Sequence, residues 1–263
     1  MLSRGTFREE RIDSSEREIS VRIYGTGAPV LALHGYSDSG YSFVRLAEHM
    51  HGYCLIAPDF RGHGKSENRF TSFSIEKLAD DAEAVINALK IDNPLVVGHS
   101  MGAMAAISLA ARRRVRALAT LGGALVVPEA TATTLRKFVS ELLEQNRGAP
   151  DAFSNWHRCE RPLPEAFVKQ IAQEALLLTP ETWKAGLAAI VTADLTAQAK
   201  IILDPSLVLY GSKDQFFNPA VQHALANALR AIERIELVDV GHNPHWESPE
   251  IVAMHLRNFF QHE

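Results

Sequence analysis

Residues 95 to 110, LVVGHSMGAMAAISLA, join a short apolar run to an alanine-rich helical pattern through Gly98-His99-Ser100-Met101-Gly102, and no other stretch constrains the fold as much. An apolar run of strand length that turns tightly into a helix is the building unit of a parallel sheet covered by helices. A serine at the apex of such a turn needs a strained backbone. Glycines two residues to either side leave room where a Cβ would collide with the neighbouring strand or helix. The hydroxyl then stands clear at a helix N-terminus, where free N–H groups and the helix dipole stabilise negative charge. Ser100 is the candidate nucleophile. Taken alone, the five-residue pattern also describes an ordinary Gly/Ser turn, so its context decides.

The context is an alternation of strands and helices. TFREERI and EISVRIYG read as an antiparallel pair, PVLALHG and YCLIAPD as buried strands, and FVRLAEHM as a helix. SIEKLADDAEAVINALK carries apolar residues at helical spacing, with Ser74 as its cap. After the Ser100 helix come the strand RALATLGG, then SLVLYGSKD, a helix from Asn218 to Leu229, the strand RIELVDVGH and a closing helix from Pro249 to Phe260. The order predicts an α/β fold, a mostly parallel twisted sheet of about eight strands flanked by helices. Between Pro128 and Leu195 the pattern is helical without a strand. This predicts a core of residues 1–127 and 196–263 and an inserted helical cap of residues 128–195.

Composition narrows the function classes. A chain of 263 residues with 46% hydrophobic residues can bury a sizeable core. Its net charge of −4 offers no general attraction to nucleic acid or to an anionic membrane, which leaves a small-molecule substrate as the expected partner. Arg112, Arg113, Arg114 and Arg116 fall at the end of the Ser100 helix, where cations complement the helix C-terminus. The two cysteines, Cys54 in a strand and Cys159 in a helical region, make no disulfide framework and are expected as buried thiols. The N-terminal segment has no apolar signal region and no stretch reaches the ~20 apolar residues of a membrane span, so a cytoplasmic location is expected. Nothing in these numbers fixes an oligomeric state.

A serine hydroxyl needs a base, itself oriented by an acid. Asp214 follows SLVLYG and His242 follows RIELVDV, and the C-terminal ends of parallel strands converge on one rim. Ser100, Asp214 and His242 can therefore meet although distant in sequence. His242 and His245 could also be read as metal ligands. The spacing lacks the glutamate-bearing helix of a zinc protease, however, and no third ligand is evident. His245 is expected to support the loop, His99 to pack behind the serine, and His34 and His63 to hold loops through hydrogen bonds. Asp59 is expected to pin its glycine-rich turn beside Arg61.

With these residues in view, the chain resembles the α/β-hydrolase superfamily along nearly its whole length. The resemblance rests on His34-Gly35-Tyr36, on Asp59-Phe60-Arg61-Gly62-His63-Gly64-Lys65-Ser66, on the Ser100 turn and on the Asp214 and His242 strand ends. It implies Ser100 as nucleophile, His242 as general base and acid, Asp214 as its orienting carboxylate, and the backbone N–H groups of Tyr36 and Met101 as an oxyanion hole. It implies no cofactor and no metal. Tyr36, Tyr41, Trp156, Trp183 and Phe216 are the candidate substrate-binding residues. The expected reaction is cleavage of a carboxylic ester or lactone of a small, moderately hydrophobic substrate through an acyl-enzyme. Carbon–carbon bond hydrolysis, thioester hydrolysis or acyl transfer, perhydrolysis and slow-turnover ligand reception are the alternatives on the same serine scaffold. Dehalogenases and epoxide hydrolases of this superfamily carry an aspartate where this chain has Ser100.

Overall fold

The computed structural model describes residues 7–14, 16–144, 156 and 158–263. Eight strands form one sheet: β1 (Phe7–Asp13), β2 (Glu18–Gly25), β3 (Ala28–Leu33), β4 (Tyr53–Pro58), β5 (Leu95–His99), β6 (Ala117–Leu121), β7 (Ser206–Gly211) and β8 (Glu233–Leu237). Their order across the sheet is β1-β2-β4-β3-β5-β6-β7-β8. The β1–β2 and β2–β4 pairs are antiparallel and all others are parallel. Every residue of β5, β6 and β7 is buried, as expected of parallel strands covered on both faces. This is why they read as continuous apolar runs rather than as alternating patterns.

The helices are α1 (Val44–Ala47), α2 (Ile75–Ala88), α3 (Met101–Ala110), α4 (Glu129–Glu144), α5 (Glu165–Leu176), α6 (Pro180–Thr192), α7 (Thr196–Ile201), α8 (Pro219–Leu229), α9 (Pro244–Glu247) and α10 (Pro249–Gln261). Ser74 caps α2 by accepting the Lys77 N–H, and Asn218 caps α8 by accepting those of Ala220 and Val221. One apolar cluster joins the sheet to α2, α3, α8 and the helices between β6 and β7. A second joins the opposite face to α1 and α10.

After β3 the chain crosses to β4 on one side and then returns to β5 on the other. The strand order therefore reverses between β3 and β5, and an open parallel sheet has its crevice at such a point, beyond the strands' C-terminal ends. Helices α4 to α7 all lie between β6 and β7, and no described residue between those strands is in a strand.

Three local expectations need correction. The FVRLAEHM helix shrinks to α1 behind a 3-10 turn at Gly40–Phe43. It closes with tight bonds from His49 and Met50 N–H to the Leu46 and Ala47 carbonyls, ahead of Gly52 at φ +84°. Strand β8 stops at Leu237, so Asp239 lies in a turn with φ +54° and its N–H donates to Ser212 Oγ. Cys159 is in no helix, and both cysteines are only half-buried.

Candidate active site

Ser100 sits between β5 and α3 at φ +51° and ψ −115°, a conformation that costs a non-glycine residue energy and persists only where the surroundings enforce it. Its N–H donates to Leu121 O of β6 at 3.0 Å, and its carbonyl accepts from Ala103 and Met104. A Cβ on Gly98 would overlap the Gly102 carbonyl, and one on Gly102 would overlap the carbonyls of Leu33 and His34. The glycines therefore let the turn close on itself and let α3 lie against the end of β3. That second approach lays the start of α3 against the Leu33 and His34 carbonyls, next to the His34-Gly35-Tyr36 turn. The first N–H groups of a helix have no carbonyl one turn earlier to satisfy them.

Asp214 lies in the turn after β7. Its Oδ1 accepts the N–H groups of Phe216 and Phe217 at 2.8 and 3.0 Å, which leaves Oδ2 to meet His242 Nδ1 at 2.9 Å. His242 Nε2 lies 2.9 Å from Ser100 Oγ. Three strand-end loops thus deliver one continuous serine, imidazole and carboxylate relay. Phe216 meets the His242 ring edge-on at 4.9 Å, and His99 donates from Nε2 to the His242 carbonyl at 3.0 Å. The first contact braces the imidazole and the second fixes the His242 backbone.

The other histidines have structural contacts. His34 donates from Nδ1 to Gly35 O and accepts the Phe60 N–H at Nε2, tying the ends of β3 and β4 together. His63 Nδ1 donates to Arg61 O. Burial pushes His34 down to about 3 and His63 to about 4. His245, fully buried between Phe43 and His99, is driven well below the ordinary histidine value by the same cause. Among the described residues no cluster of three His, Cys, Asp or Glu could hold a metal.

Asp59 does pin its turn, accepting N–H bonds from Gly40 and Lys65, but its ionic partner is Arg22 on β2 at 3.2 Å. Arg61 turns the other way and forms a two-point pair with Asp81 of α2. Burial raises the Asp59 pKa despite Arg22.

A cavity of about 40 Å³ opens beside Ser100 and His242. Tyr36, Trp156 and Phe216 line it, as do Phe217 and Asp38. Trp156 donates its indole N–H to Ser37 Oγ at 2.7 Å and stacks on Phe138 of α4. Tyr41 and Trp183 do not line it. Tyr41 leaves its 3-10 turn in the other direction and stacks on Phe167 of α5. Trp183 is wholly buried behind the wall, edge-on to Tyr36, whose hydroxyl donates to the Trp183 carbonyl. Leu135 of α4 and Ile190 of α6 complete the apolar wall. Both lie in helices whose apolar stripes were readable, but a stripe that faces a cavity reads the same as one that faces a core. Of the rim segment 153–159, residues 153–155 and 157 lie outside the described residues.

The alpha/beta hydrolase fold family matches residues 28–249 of this chain. The chain is 25% identical to the AB hydrolase superfamily protein YisY of Bacillus subtilis, over 91% of this chain and 94% of that protein. It is 28% identical to Lipase 3 of a Moraxella species, covering 89% of this chain and 78% of the relative. The structure of an esterase from Exiguobacterium antarcticum superposes with a TM-score of 0.84 at 21% identity, covering 98% of this chain and 99% of that one, which shows a common fold. On these grounds the chain belongs to the alpha/beta hydrolase fold family.

Proposed function

We propose that this protein hydrolyses a carboxylic ester or lactone with a short, moderately apolar acyl group through a covalent intermediate on Ser100. The observation that carries the reading is the His242 imidazole, held at 2.9 Å from both Ser100 Oγ and Asp214 Oδ2 beside a small, mainly apolar cavity. An ester is favoured over other acyl derivatives because relatives bear the names lipase and esterase.

In this mechanism Ser100 Oγ attacks the carbonyl carbon while His242 Nε2 takes the hydroxyl proton. Asp214, bonded to Nδ1–H, holds the ring's orientation and balances the imidazolium charge. Two N–H groups, Tyr36 and Met101, receive the negative oxygen of the tetrahedral intermediate, aided by the α3 N-terminus. The imidazolium returns its proton to the departing alkoxide, leaving an acyl-serine. His242 then removes a proton from water, which attacks the acyl carbon and releases the acid and the free hydroxyl. Every proton is exchanged through one nitrogen, so a single histidine serves both half-reactions.

The test is intact-mass measurement after a fluorophosphonate, on the wild type and on Ser100→Ala, followed by a p-nitrophenyl ester series. One adduct on the wild type, none on the variant and a rate that falls beyond short acyl chains are the expected results. A folded wild type that takes no adduct and turns over no ester would overturn the proposal.

A further inference from the structure

Tyr36 and Ser37 are the two central residues of the turn that follows β3. The sheet end holds the start of that turn, because Gly35 O accepts from His34 Nδ1 at 2.8 Å and from the Asp38 N–H at 3.3 Å. The central residues are held from elsewhere. Ser37 is fully buried at φ +68°, where a turn usually carries glycine. A serine persists in that conformation only where its surroundings enforce it. Its Oγ accepts the Trp156 indole N–H at 2.7 Å. Tyr36 lies edge-on to Trp156 with ring centroids 5.6 Å apart, and its ring fills the space that a Cβ on Gly186 of α6 would need, 2.6 Å from such an atom. Its hydroxyl donates to the Trp183 carbonyl of the same helix. Trp156, Trp183 and Gly186 all belong to the chain between β6 and β7.

We infer that the chain between β6 and β7 sets the oxyanion hole: Trp156, through Ser37, and α6, through the Tyr36 side chain, fix the backbone that carries the Tyr36 N–H. The inference rests on the serine-hydrolase reading above and deepens it, because it makes Trp156 a positioning residue as well as part of the cavity wall. The physical link is short. The Tyr36 nitrogen is bonded to the Cα that bears the ring, so a ring wedged against α6 and tied at its hydroxyl restricts rotation about the N–Cα bond. Relaxation of the positive φ at Ser37 would turn the peptide that joins it to Tyr36, and the bond from Trp156 opposes that turn. An oxyanion donor stabilises charge only when it already points at the forming oxygen, about 3 Å away. Losing a donor outright costs ~10²–10³ in kcat, so loosening one is expected to cost roughly tenfold.

Trp156→Phe, Tyr36→Phe and Ser37→Ala each delete one of these hydrogen bonds, and the first two keep an aromatic ring in the cavity wall. On p-nitrophenyl acetate each variant should lose roughly tenfold in kcat with KM within about twofold of the wild type. 1,1,1-Trifluoro-2-butanone supplies the second readout. Ser100 Oγ bonds to its carbonyl carbon, the hydroxyl proton passes to His242 Nε2, and the carbonyl π pair becomes an oxyanion, with no leaving group. Its inhibition constant should rise by the factor by which kcat/KM falls. Ser37→Ala/Trp156→Phe should be no slower than the slower single variant, since both substitutions delete one bond. Unchanged kinetics with only a lower urea midpoint would overturn the inference, leaving these contacts as packing. A change confined to KM, or a loss of rate with ketone binding unchanged, would overturn it as well. Failure of the fluorophosphonate to label Ser100 in the wild type would instead remove the serine-hydrolase reading, and the oxyanion hole with it.

Discussion

His242 and His245 are three positions apart, and their surroundings give them opposite chemistry. His242 keeps both ring nitrogens in hydrogen bonds at the cavity wall, whereas neither nitrogen of His245 has a partner among the described residues. A base must reach the proton it removes, and His245 reaches none. His242→Ala is therefore expected to lower kcat by a factor on the order of 10⁴–10⁶ while the fold persists. His245→Ala should act mainly on stability, by about 2 kcal/mol through the cavity it leaves. Steady-state kinetics and urea unfolding on the two variants separate these effects, and a reversed pattern would transfer the base role to His245. The preference for His242 over His245 as base came from the resemblance to the hydrolase family, with both residues in the segment that follows the last strand. The directions of Tyr41 and Trp183 were not readable, because spacing along the chain does not tell a side chain which neighbour it will meet.

At the scale of elements, α5 is fastened to the sheet by charge as well as by packing. Glu174 takes the two terminal guanidinium nitrogens of Arg22, accepts from Gln170 and receives the Ser39 hydroxyl, just beyond the Tyr36 turn. Burial opposes the charge on Arg22, but Asp59 and Glu174 outweigh it and raise its pKa above the ordinary value. Removing one member leaves the rest buried with unmatched charge, which typically costs 3–5 kcal/mol. Glu174→Ala should lower stability by about 3 kcal/mol and Glu174→Gln by less; an unchanged urea midpoint would show that α5 docks by packing alone. The Ser100 turn is equally demanding. Gly102→Ala has no space between α3 and the Leu33 carbonyl, and it should abolish soluble folded protein. Recovery of a native-like variant by size exclusion and circular dichroism would refute the close approach.

The whole molecule should be sensitive to mild acid. Burial lowers His34 to about 3 and His63 to about 4, and lowers His99 and His245 as well. Above the unfolded-state value of ~6.5 these groups are neutral in both states and do not oppose folding. As pH falls below ~6.5 the unfolded chain takes up protons that the folded one refuses, so stability is lost until the folded values are reached. Each such histidine costs up to ~1.4 kcal/mol per pH unit in that window. Asp59, with its raised pKa, acts in the opposite sense, because the folded state holds its proton more tightly near the carboxylate range. The net expectation is a urea midpoint that drops clearly between pH 7 and pH 5. A flat profile would mean that these histidines protonate without unfolding the protein.

The sequence by itself determined the order of strands and helices, the turn at Ser100 and the chain order of Ser100, Asp214 and His242. Each depends on local rules, namely apolar periodicity, glycine where a Cβ cannot fit, and polar residues at strand ends. Only the tertiary structure decided that Asp59 pairs with Arg22 and not Arg61, that Leu135 and Ile190 face the cavity, and that Asp38 shares its wall with Ser100. Those contacts join residues from different elements. Their distances follow from how helices rotate and pack on a twisted sheet, a degree of freedom that no spacing along the chain encodes.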